Sequence, residues 1–157
     1  MFGHSTHSGS ETTAALVERW LDLWNGDLSI ADTLTAEDII THTAPLTPDG
    51  DNELRGREAL KQWIAGGLRA VLPDLRFAIS VGPIATDEYF AVRWTAQATY
   101  AGGFPGASED AVGSVVTFDG TDIVRVADGV LAEYWLNGDL LQLMQQLGVR
   151  ELVASEG

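Results

Sequence analysis

The chain has 157 residues, of which 45% are hydrophobic and 20% charged, and this predicts one globular domain with one core. Asp and Glu number 23 against 9 Lys and Arg, for a formal net charge of −14. Nucleic acids and anionic membranes are bound through clustered basic side chains, so the composition argues against both as partners. Cysteine is absent, which excludes disulfides, thiolate metal ligands and cysteine nucleophiles.

The two ends of the chain are polar. Residues 1–10 have neither the basic nor the apolar region of a secretory signal, and we expect them to form a flexible arm. Residues 149–157 are expected to form a tail, which leaves residues 11–148 as a single domain. No apolar run approaches the ~18 residues that cross a bilayer, so a cytoplasmic location is the default expectation. His42 is the only histidine of that domain, and one imidazole with carboxylates is an unusual zinc site, so we expect no metal.

The apolar residues of the first half repeat with a helical spacing. Leu16, Trp20 and Trp24 follow at four-residue steps, as on one face of an amphipathic helix. Gly66 and Gly67 each cost on the order of 1 kcal/mol inside a helix, which suggests close backbone packing there. In chain order the sequence predicts a helix at 11–25, a helical turn at 29–34, a strand at 38–43, a loop at 45–52, a helix at 57–72, strands at 75–81 and 89–100, a loop at 101–110, strands and turns up to 137, and a helix at 138–147.

Two Asp-Gly pairs, at 119–120 and 128–129, predict two-residue β-turns, because type I′ turns need positive φ at both positions. With these turns, residue 118 pairs with residue 121, and residue 127 pairs with residue 130. Helices followed by a run of hairpins and a closing helix predict an α+β domain with a curved antiparallel sheet.

The same register places Asp122 in a central strand beside Thr117 and Trp135, with Glu133 diagonally opposite, because directly opposed residues share a face. Burial against apolar side chains raises the pKa of a carboxyl group, and general acid/base catalysis near neutral pH uses such a group. Asp122 could equally follow a turn, accept backbone N–H bonds and face water. His42 could bond a substrate oxygen or orient a carboxylate, or be a strand-end histidine satisfied by the backbone.

Five tryptophans in a small domain are enough to line an apolar pocket for an aromatic or polycyclic ligand, although such rings are more often core. Phe104 lies in the 101–110 loop, which is long enough to border a pocket mouth. Glu133 is expected at a rim or interface. Asp122 and His42 are the candidate catalytic residues. The predicted substrate-binding residues are Trp20, Trp24, Trp63, Trp94, Phe104, Thr117, Glu133 and Trp135.

Several segments are similar to one known family. They are Trp24-Asn25-Gly26-Asp27, Thr41-His42-Thr43-Ala44-Pro45, Gly56 to Leu60, Leu72-Pro73-Asp74-Leu75-Arg76-Phe77, Val92-Arg93-Trp94-Thr95-Ala96, Gly120-Thr121-Asp122-Ile123-Val124-Arg125, Asp128-Gly129, Glu133-Tyr134-Trp135, Asp139 and Gln146-Leu147-Gly148. Over residues 14–148 the chain resembles the SnoaL-like polyketide cyclases, also called ester cyclases, of the nuclear transport factor 2-like superfamily. It departs from them at Tyr134 and Tyr100, where the family commonly has histidine.

The resemblance implies a cone-shaped, cystatin-like α+β barrel, in which a curved mixed sheet wraps around N-terminal helices and its open end admits a hydrophobic ligand. It implies a homodimer or homotetramer packed through the outer sheet face. Family cyclases close a ring by an intramolecular aldol reaction on a polyketide ester, without cofactor or metal. Their acid/base aspartate of the G-x-D-I motif falls on Asp122. A bulky hydrophobic carbonyl compound, such as an aromatic polyketide, is therefore the expected small-molecule partner.

Two other activities of the superfamily fit less well. Ketosteroid isomerases need a second aspartate base near the first strand, and Thr41-His42-Thr43-Ala44-Pro45 has none. Limonene-type epoxide hydrolases use an Arg-x-Asp pair, and Arg93-Trp94-Thr95 lacks the aspartate. A different class of function stays open, because fold alone does not confer activity: a non-catalytic pocket that binds a hydrophobic metabolite, or a protein-interaction module.

Overall fold

A computed structural model describes residues 4–43 and 52–150 of the chain, with the side chains of residues 4–12 left aside. The strands are β1 (Thr35–His42), β2 (Glu53–Arg55), β3 (Arg76–Ala85), β4 (Tyr89–Thr99), β5 (Val115–Ala127) and β6 (Val130–Gly138). The helices are α1 (His4–Trp24), α2 (Ala31–Leu34), α3 (Arg57–Gln62), α4 (Arg69–Val71) and α5 (Leu140–Gln146). One-turn 3-10 helices lie at Leu28–Ile30 and Glu109–Ala111, and a π-helical stretch at Trp63–Leu68 joins α3 to α4.

The strands form one six-stranded mixed sheet in the order β2-β1-β6-β5-β4-β3. β1 runs parallel to β6, and the other neighbours are antiparallel. The sheet curves around α1 without closing, so β2 and β3 are its two edges. This confirms the predicted α+β architecture of a curved sheet wrapped around N-terminal helices.

The core lies between α1 and one face of the sheet, which we call the inner face. Trp20, Leu23 and Trp24 of α1 are buried, and so are Val116 and Phe118 on the inner face of β5. This burial follows the i, i+4 spacing of α1 and the alternation of β5. Within residues 4–43 and 52–150, no helix has the length and apolar character needed to span a membrane.

The helix boundaries differ from the predicted ones at two places. α1 begins at His4 rather than at residue 11, since no proline interrupts that segment. The helix predicted at 57–72 is present but contains the π-helical stretch. Gly66 and Gly67 do not mark close packing, because both are exposed and a Cβ on Gly66 would meet nothing within 4 Å.

The segment after β1 holds the short strand β2, which was not predicted because three residues carry too little pattern. Most of the loop predicted at 45–52 lies outside the described residues, as do residues 1–3 of the arm and residues 151–157 of the tail.

The predicted turn at Asp119-Gly120 is wrong, because β5 continues straight through both residues. Asp119 accepts a hydrogen bond of 2.7 Å from the Thr95 hydroxyl of β4. Gly120 is required for another reason: a Cβ at this position would overlap the ring of Trp94. The glycine therefore marks a close approach of an indole to the strand rather than a turn.

The predicted turn at Asp128-Gly129 is confirmed, with φ of 53° and 79° and Ala127 paired with Val130. A register shift then follows between Val126 and Arg125. Such a one-residue slip moves every later side chain to the other face. Asp122 consequently lies opposite Leu136, and it is Ile123 that lies opposite Trp135.

Candidate active site

A cavity opens between α1, the π-helical stretch and the inner face of the sheet. The cavity has a volume of about 90 Å³, which is enough for several waters or a small ligand. It brings together five of the predicted site residues: Trp20, Trp24, Trp63, Trp94 and Asp122. The other lining residues are Leu21, Thr43, Leu68, Phe77, Ile79, Val92, Phe118, Tyr134, Leu136, Gly138 and Leu140.

Asp122 is the acidic residue of this lining, and only 4% of it is exposed. The indole Nε1 of Trp20 donates to its Oδ2 at 3.0 Å. Its Oδ1 accepts from Trp94 Nε1 at 3.0 Å and from the Tyr134 hydroxyl at 2.9 Å. Three neutral donors from α1, β4 and β6 thus hold one carboxyl group on β5, and the possibility that Asp122 faces water is wrong.

The surroundings of Asp122 change its proton affinity. Burial raises the pKa of the Asp122 carboxyl to about 6, although the hydrogen bonds from Trp94, Trp20 and Tyr134 oppose the rise. Desolvation penalises the charged form, and neutral donors repay only part of that penalty. Burial and the adjacent Asp122 charge in turn raise the pKa of the Tyr134 phenol well above its ordinary value. Near neutral pH the pair is therefore a carboxylate that accepts from an un-ionised phenol.

Local features of the sequence fix the donors in place. Trp20 and Trp24 lie one turn apart on α1 and both face the cavity. The end of α1 is fastened to β3 by Asn25, whose Oδ1 accepts from the Phe77 N–H at 2.7 Å and whose Nδ2 donates to the Phe77 carbonyl at 3.3 Å. On the sheet side, the missing side chain of Gly120 makes room for the Trp94 ring.

The remaining polar residues predicted for the site lie on the other face of the sheet. His42 Nε2 is 2.7 Å from Glu133 Oε2, and its ring stacks on Trp135 with centroids 5.2 Å apart. Arg125 Nε donates to Glu133 Oε1 at 3.2 Å. The hydrogen bond from His42, and then that from Arg125, lower the pKa of Glu133. His42, Glu133 and Trp135 therefore form one outer-face cluster, away from Asp122, because the register shift turns Glu133 and Trp135 of β6 outward and His42 of β1 pairs with Trp135.

Two further predicted binding residues also lie outside the cavity lining. Thr117 is exposed, and its backbone exchanges hydrogen bonds with the Gln146 side chain of α5. Phe104 is half-buried against the core, and its N–H donates to the Tyr100 hydroxyl at 2.8 Å. Thr117 was expected beside Asp122 only because a turn was predicted at 119–120, and β5 has no turn there. Phe104 of the 101–110 loop packs against the core outside the cavity lining.

The sequence of the chain matches a known family over nearly the whole described part. The sequence model of the SnoaL-like polyketide cyclases covers residues 14–147. The chain belongs to this family. No curated protein matches it at a significant level.

Solved structures similar to this SnoaL-like protein agree with that assignment. The IdmH protein of Streptomyces antibioticus, described as "a putative polyketide cyclase", is 27% identical with a TM-score of 0.68, and the match covers 90% of this chain and 99% of that one. The AclR protein of Streptomyces galilaeus, described as "a putative hydroxylase", is 26% identical with a TM-score of 0.71 over 88% and 96% of the two chains. A SnoaL-like protein of Jannaschia, 16% identical with a TM-score of 0.74 over 90% and 94%, shows the same fold.

The main residue that sequence reasoning missed is Tyr134 of this SnoaL-like protein. The uninterrupted register placed it on the face opposite Asp122, whereas its hydroxyl bonds the Asp122 carboxyl group. The bulge that causes the difference leaves Ala132 of β6 without a partner on β5, and neither Ala132 nor its two neighbours is a glycine or a proline. The available signal in the sequence was the alternation of residue types along β5, in which Asp122 shares its parity with Val116, Phe118 and Val124.

The described part of the chain contains no set of side chains arranged to bind a metal ion. No group of three or more His, Asp or Glu side chains there is close enough together to hold an ion. The cavity offers one carboxylate, one phenol, one threonine hydroxyl and four indole N–H groups in an apolar wall. These groups can bind an apolar molecule and move a proton.

Proposed function

We propose that this chain is a cofactor-free acid/base enzyme of the cyclase type, acting on a hydrophobic carbonyl compound that fills the inner cavity. The observation that carries the proposal is a single cavity carboxyl group, Asp122, with a pKa raised to about 6 by burial. At pH 7 such a group is mostly ionised and is a stronger base than an exposed aspartate. Membership of the SnoaL-like cyclases supports the same reaction class.

The proposed reaction needs one proton carrier. The Asp122 carboxylate removes a proton from the carbon next to a substrate carbonyl, which leaves an enolate. The enolate carbon attacks a second carbonyl of the same molecule, so one carbon–carbon bond forms and the second oxygen becomes an alkoxide. That alkoxide takes the proton back from the Asp122 carboxylic acid, and the enzyme returns to its starting state. Positioning of the two ends within one cavity supplies much of the acceleration.

The donors around Asp122 suit this cycle. Two oxygens of a carboxylate offer about four lone-pair sites, and the three hydrogen bonds from Trp20, Trp94 and Tyr134 leave room for one more partner. A cationic partner would stabilise the anion strongly and make it a weak base. Neutral indole and phenol donors orient the carboxylate while it remains basic.

The test is proton exchange in D₂O, which needs no knowledge of the natural substrate. We expect the wild type to accelerate deuterium incorporation next to the carbonyl of β-tetralone, a bicyclic ketone, as followed by proton NMR. Asp122→Asn should lose at least about a hundredfold of that acceleration, since general-base catalysis contributes factors of that order. The matched control is Asp119→Asn, on the same strand but bonded to Thr95, which should exchange like the wild type.

The second candidate is a non-catalytic binding protein for a hydrophobic metabolite. It is favoured by the nearly complete aromatic and aliphatic lining of the cavity, since binding alone needs only such a wall. The same experiment separates the two functions. A wild type that binds β-tetralone but exchanges its protons no faster than Asp122→Asn would be a binding protein, and the acid/base proposal would then be wrong.

A further inference from the structure

The cavity carries one acidic group and no basic group to balance it. Asp122 is the acidic residue of the lining, and the described residues that line the cavity include no Lys, Arg or His. Asp122 takes part in none of the ion pairs among the described residues, and its three hydrogen-bond donors are neutral. Buried charges in folded proteins are normally paired. The ionised carboxylate therefore leaves the place of its counter-charge to whatever enters the cavity.

The aromatic wall around this carboxylate suits an organic cation. Trp24 and Trp63 have centroids 5.7 Å apart with their ring planes at 79°, and Phe77 and Trp94 have centroids 5.0 Å apart at 84°. All four rings line the cavity. The face of an aromatic ring attracts a cation within about 6 Å of its centre, and aromatic walls bind alkylated ammonium groups in other proteins.

The balance of forces favours a cation over a neutral molecule. The folded protein already bears the cost of removing Asp122 from water, as its raised pKa shows. An entering cation loses its own hydration but gains the attraction of the carboxylate where little water screens it, together with that of the rings. Three hydrogen bonds to Asp122 leave about one of its four lone-pair sites for an ammonium N–H. The formal net charge of −14 adds a weaker attraction at long range.

We infer that the cavity binds an apolar organic cation, a protonated amine on a hydrocarbon skeleton, with its ammonium group against the Asp122 carboxylate. Such a ligand is preferred over a neutral molecule of the same shape, and an anion of that shape binds worst. An ammonium group at this place would block the base, so amines of this class would inhibit the proposed reaction. Binding depends on the charge of Asp122 and not on turnover, and the inference goes beyond the proposed function without resting on it.

The first test is a fluorine NMR titration of the wild type at pH 7 with three ring-fluorinated probes of one bicyclic skeleton. They are 2-aminotetralin, whose amine is protonated at pH 7 as that of lysine is, 2-methyltetralin and tetralin-2-carboxylate. We expect the amine to bind at least about tenfold more tightly than 2-methyltetralin, the gain of one hydrogen bond to a charged group, and the carboxylate to bind most weakly. No binding of the amine, or equal binding of the amine and 2-methyltetralin, would overturn the inference.

The second test compares two substitutions that each remove one negative charge. Asp122→Asn removes it inside the cavity, whereas Asp119→Asn removes it from a side chain on the same strand that is bonded to Thr95 and lies outside the lining. The preference for the amine over 2-methyltetralin should vanish in Asp122→Asn and persist in Asp119→Asn. Equal losses in the two variants would trace the preference to the overall charge of the protein and contradict the inference.

The third test varies the pH with the wild type alone, so it decides the point even if Asp122→Asn does not fold. Trp20, Trp94 and Tyr134 face Asp122 from α1, β4 and β6, and of these only Tyr134 titrates, with its pKa well above the ordinary value. With a pKa of about 6 for Asp122, the ionised fraction falls from about nine-tenths at pH 7 to about one-tenth at pH 5. The affinity for the amine should fall about tenfold over this range, and that for 2-methyltetralin should not change. Equal pH dependence of the two probes would contradict the inference.

Failure of this inference and failure of the acid/base proposal are distinguishable. If the amine binds through Asp122 but the wild type exchanges the protons of β-tetralone no faster than Asp122→Asn, the chain is a binding protein with a cation site, and only the acid/base proposal is wrong. If exchange depends on Asp122 but the amine binds no better than 2-methyltetralin, the chain is an enzyme without a cation site, and only this inference is wrong.

Discussion

Removal of the Tyr134 hydroxyl should shift the working pH of the site upward. In Tyr134→Phe the aromatic ring that packs edge-on against Trp20 at 4.7 Å is kept, and only the 2.9 Å hydrogen bond to Asp122 Oδ1 is lost. That bond favours the ionised carboxylate and opposes the effect of burial on its pKa. Its loss therefore raises the pKa of Asp122 above about 6.

The size of this shift follows from the strength of the bond. A hydrogen bond to a charged group contributes about 1.5–3 kcal/mol, and each pKa unit corresponds to about 1.4 kcal/mol. The pKa of Asp122 should therefore rise by about one to two units. At pH 7 about nine-tenths of the wild-type carboxyl groups are ionised, and in the variant half or fewer would be. The exchange rate of β-tetralone should fall accordingly at pH 7 and recover at higher pH.

The assay is a pH titration of the Asp122 carboxyl carbon by NMR, together with the pH profile of deuterium exchange. Tyr100→Phe is the matched control, because Tyr100 is also buried but its hydroxyl accepts from the Phe104 N–H and does not contact Asp122. An unchanged or lowered pKa of Asp122 in Tyr134→Phe would refute the assignment of Tyr134 as donor. A shift of equal size in Tyr100→Phe would refute the local origin of the effect.

Three further predictions concern stability. Gly120→Ala should destabilise the fold by about 1–3 kcal/mol in thermal unfolding, as overpacked cores do, because the new Cβ overlaps Trp94. Burial raises the pKa of Asp122 in the folded state from 3.8 to about 6, so the folded protein binds this proton more tightly than the unfolded chain. The contribution of Asp122 to the free energy of unfolding should then fall by about 3 kcal/mol in all as pH rises from about 2 to about 8, with about 2 kcal/mol of it lost between about pH 4 and pH 6. Denaturant unfolding of wild type and Asp122→Asn at several pH values measures it. Asn25→Ala should cost about 2 kcal/mol in the same measurement, because it leaves the Phe77 N–H and carbonyl without their partner.

Each of these predictions has a control or a contrary outcome. Gly66→Ala should not destabilise the protein, since a Cβ there meets nothing within 4 Å and alanine is the better helix former. Asn137→Ala removes an exposed asparagine of β6 and should change the free energy of unfolding by less than about 0.5 kcal/mol. A difference between wild type and Asp122→Asn that does not change between pH 4 and pH 6 would contradict the raised pKa.

The elements of the fold were largely predictable because their signals are local. The four-residue steps of Leu16, Trp20 and Trp24 give α1 its buried face, and Asp128-Gly129 adopts the left-handed turn expected of it. Asp119-Gly120 is the same dipeptide but forms no turn. Its glycine instead makes room for the Trp94 indole of the neighbouring strand. Only the tertiary structure distinguishes these two uses of glycine.

The candidate site was predicted in part, and the reason lies in the sheet register. Asp122 and four of the tryptophans predicted for the site do lie together in the cavity. Large aromatic side chains are buried whatever the exact pairing of the strands, so this grouping did not depend on the register. His42, Glu133 and Trp135 were expected near Asp122, but the bulge at Ala132 turns Glu133 and Trp135 to the outer face, where His42 pairs with Trp135. Long-range register depends on such single-residue slips, which leave little trace in composition or spacing.

The π-helical stretch at Trp63–Leu68 gives one wall of the cavity a tolerance for changes in chain length. Both of its end residues line the cavity, and the exposed Gly66 and Gly67 lie between them. A π-helical turn holds one residue more than an α-helical turn. Loss of one glycine would restore α-helical winding and leave Trp63 and Leu68 close to their present relative orientation, because about one turn would still separate them. A single-codon deletion at this place would therefore leave the cavity wall, and Asp122 with its three donors, nearly unchanged.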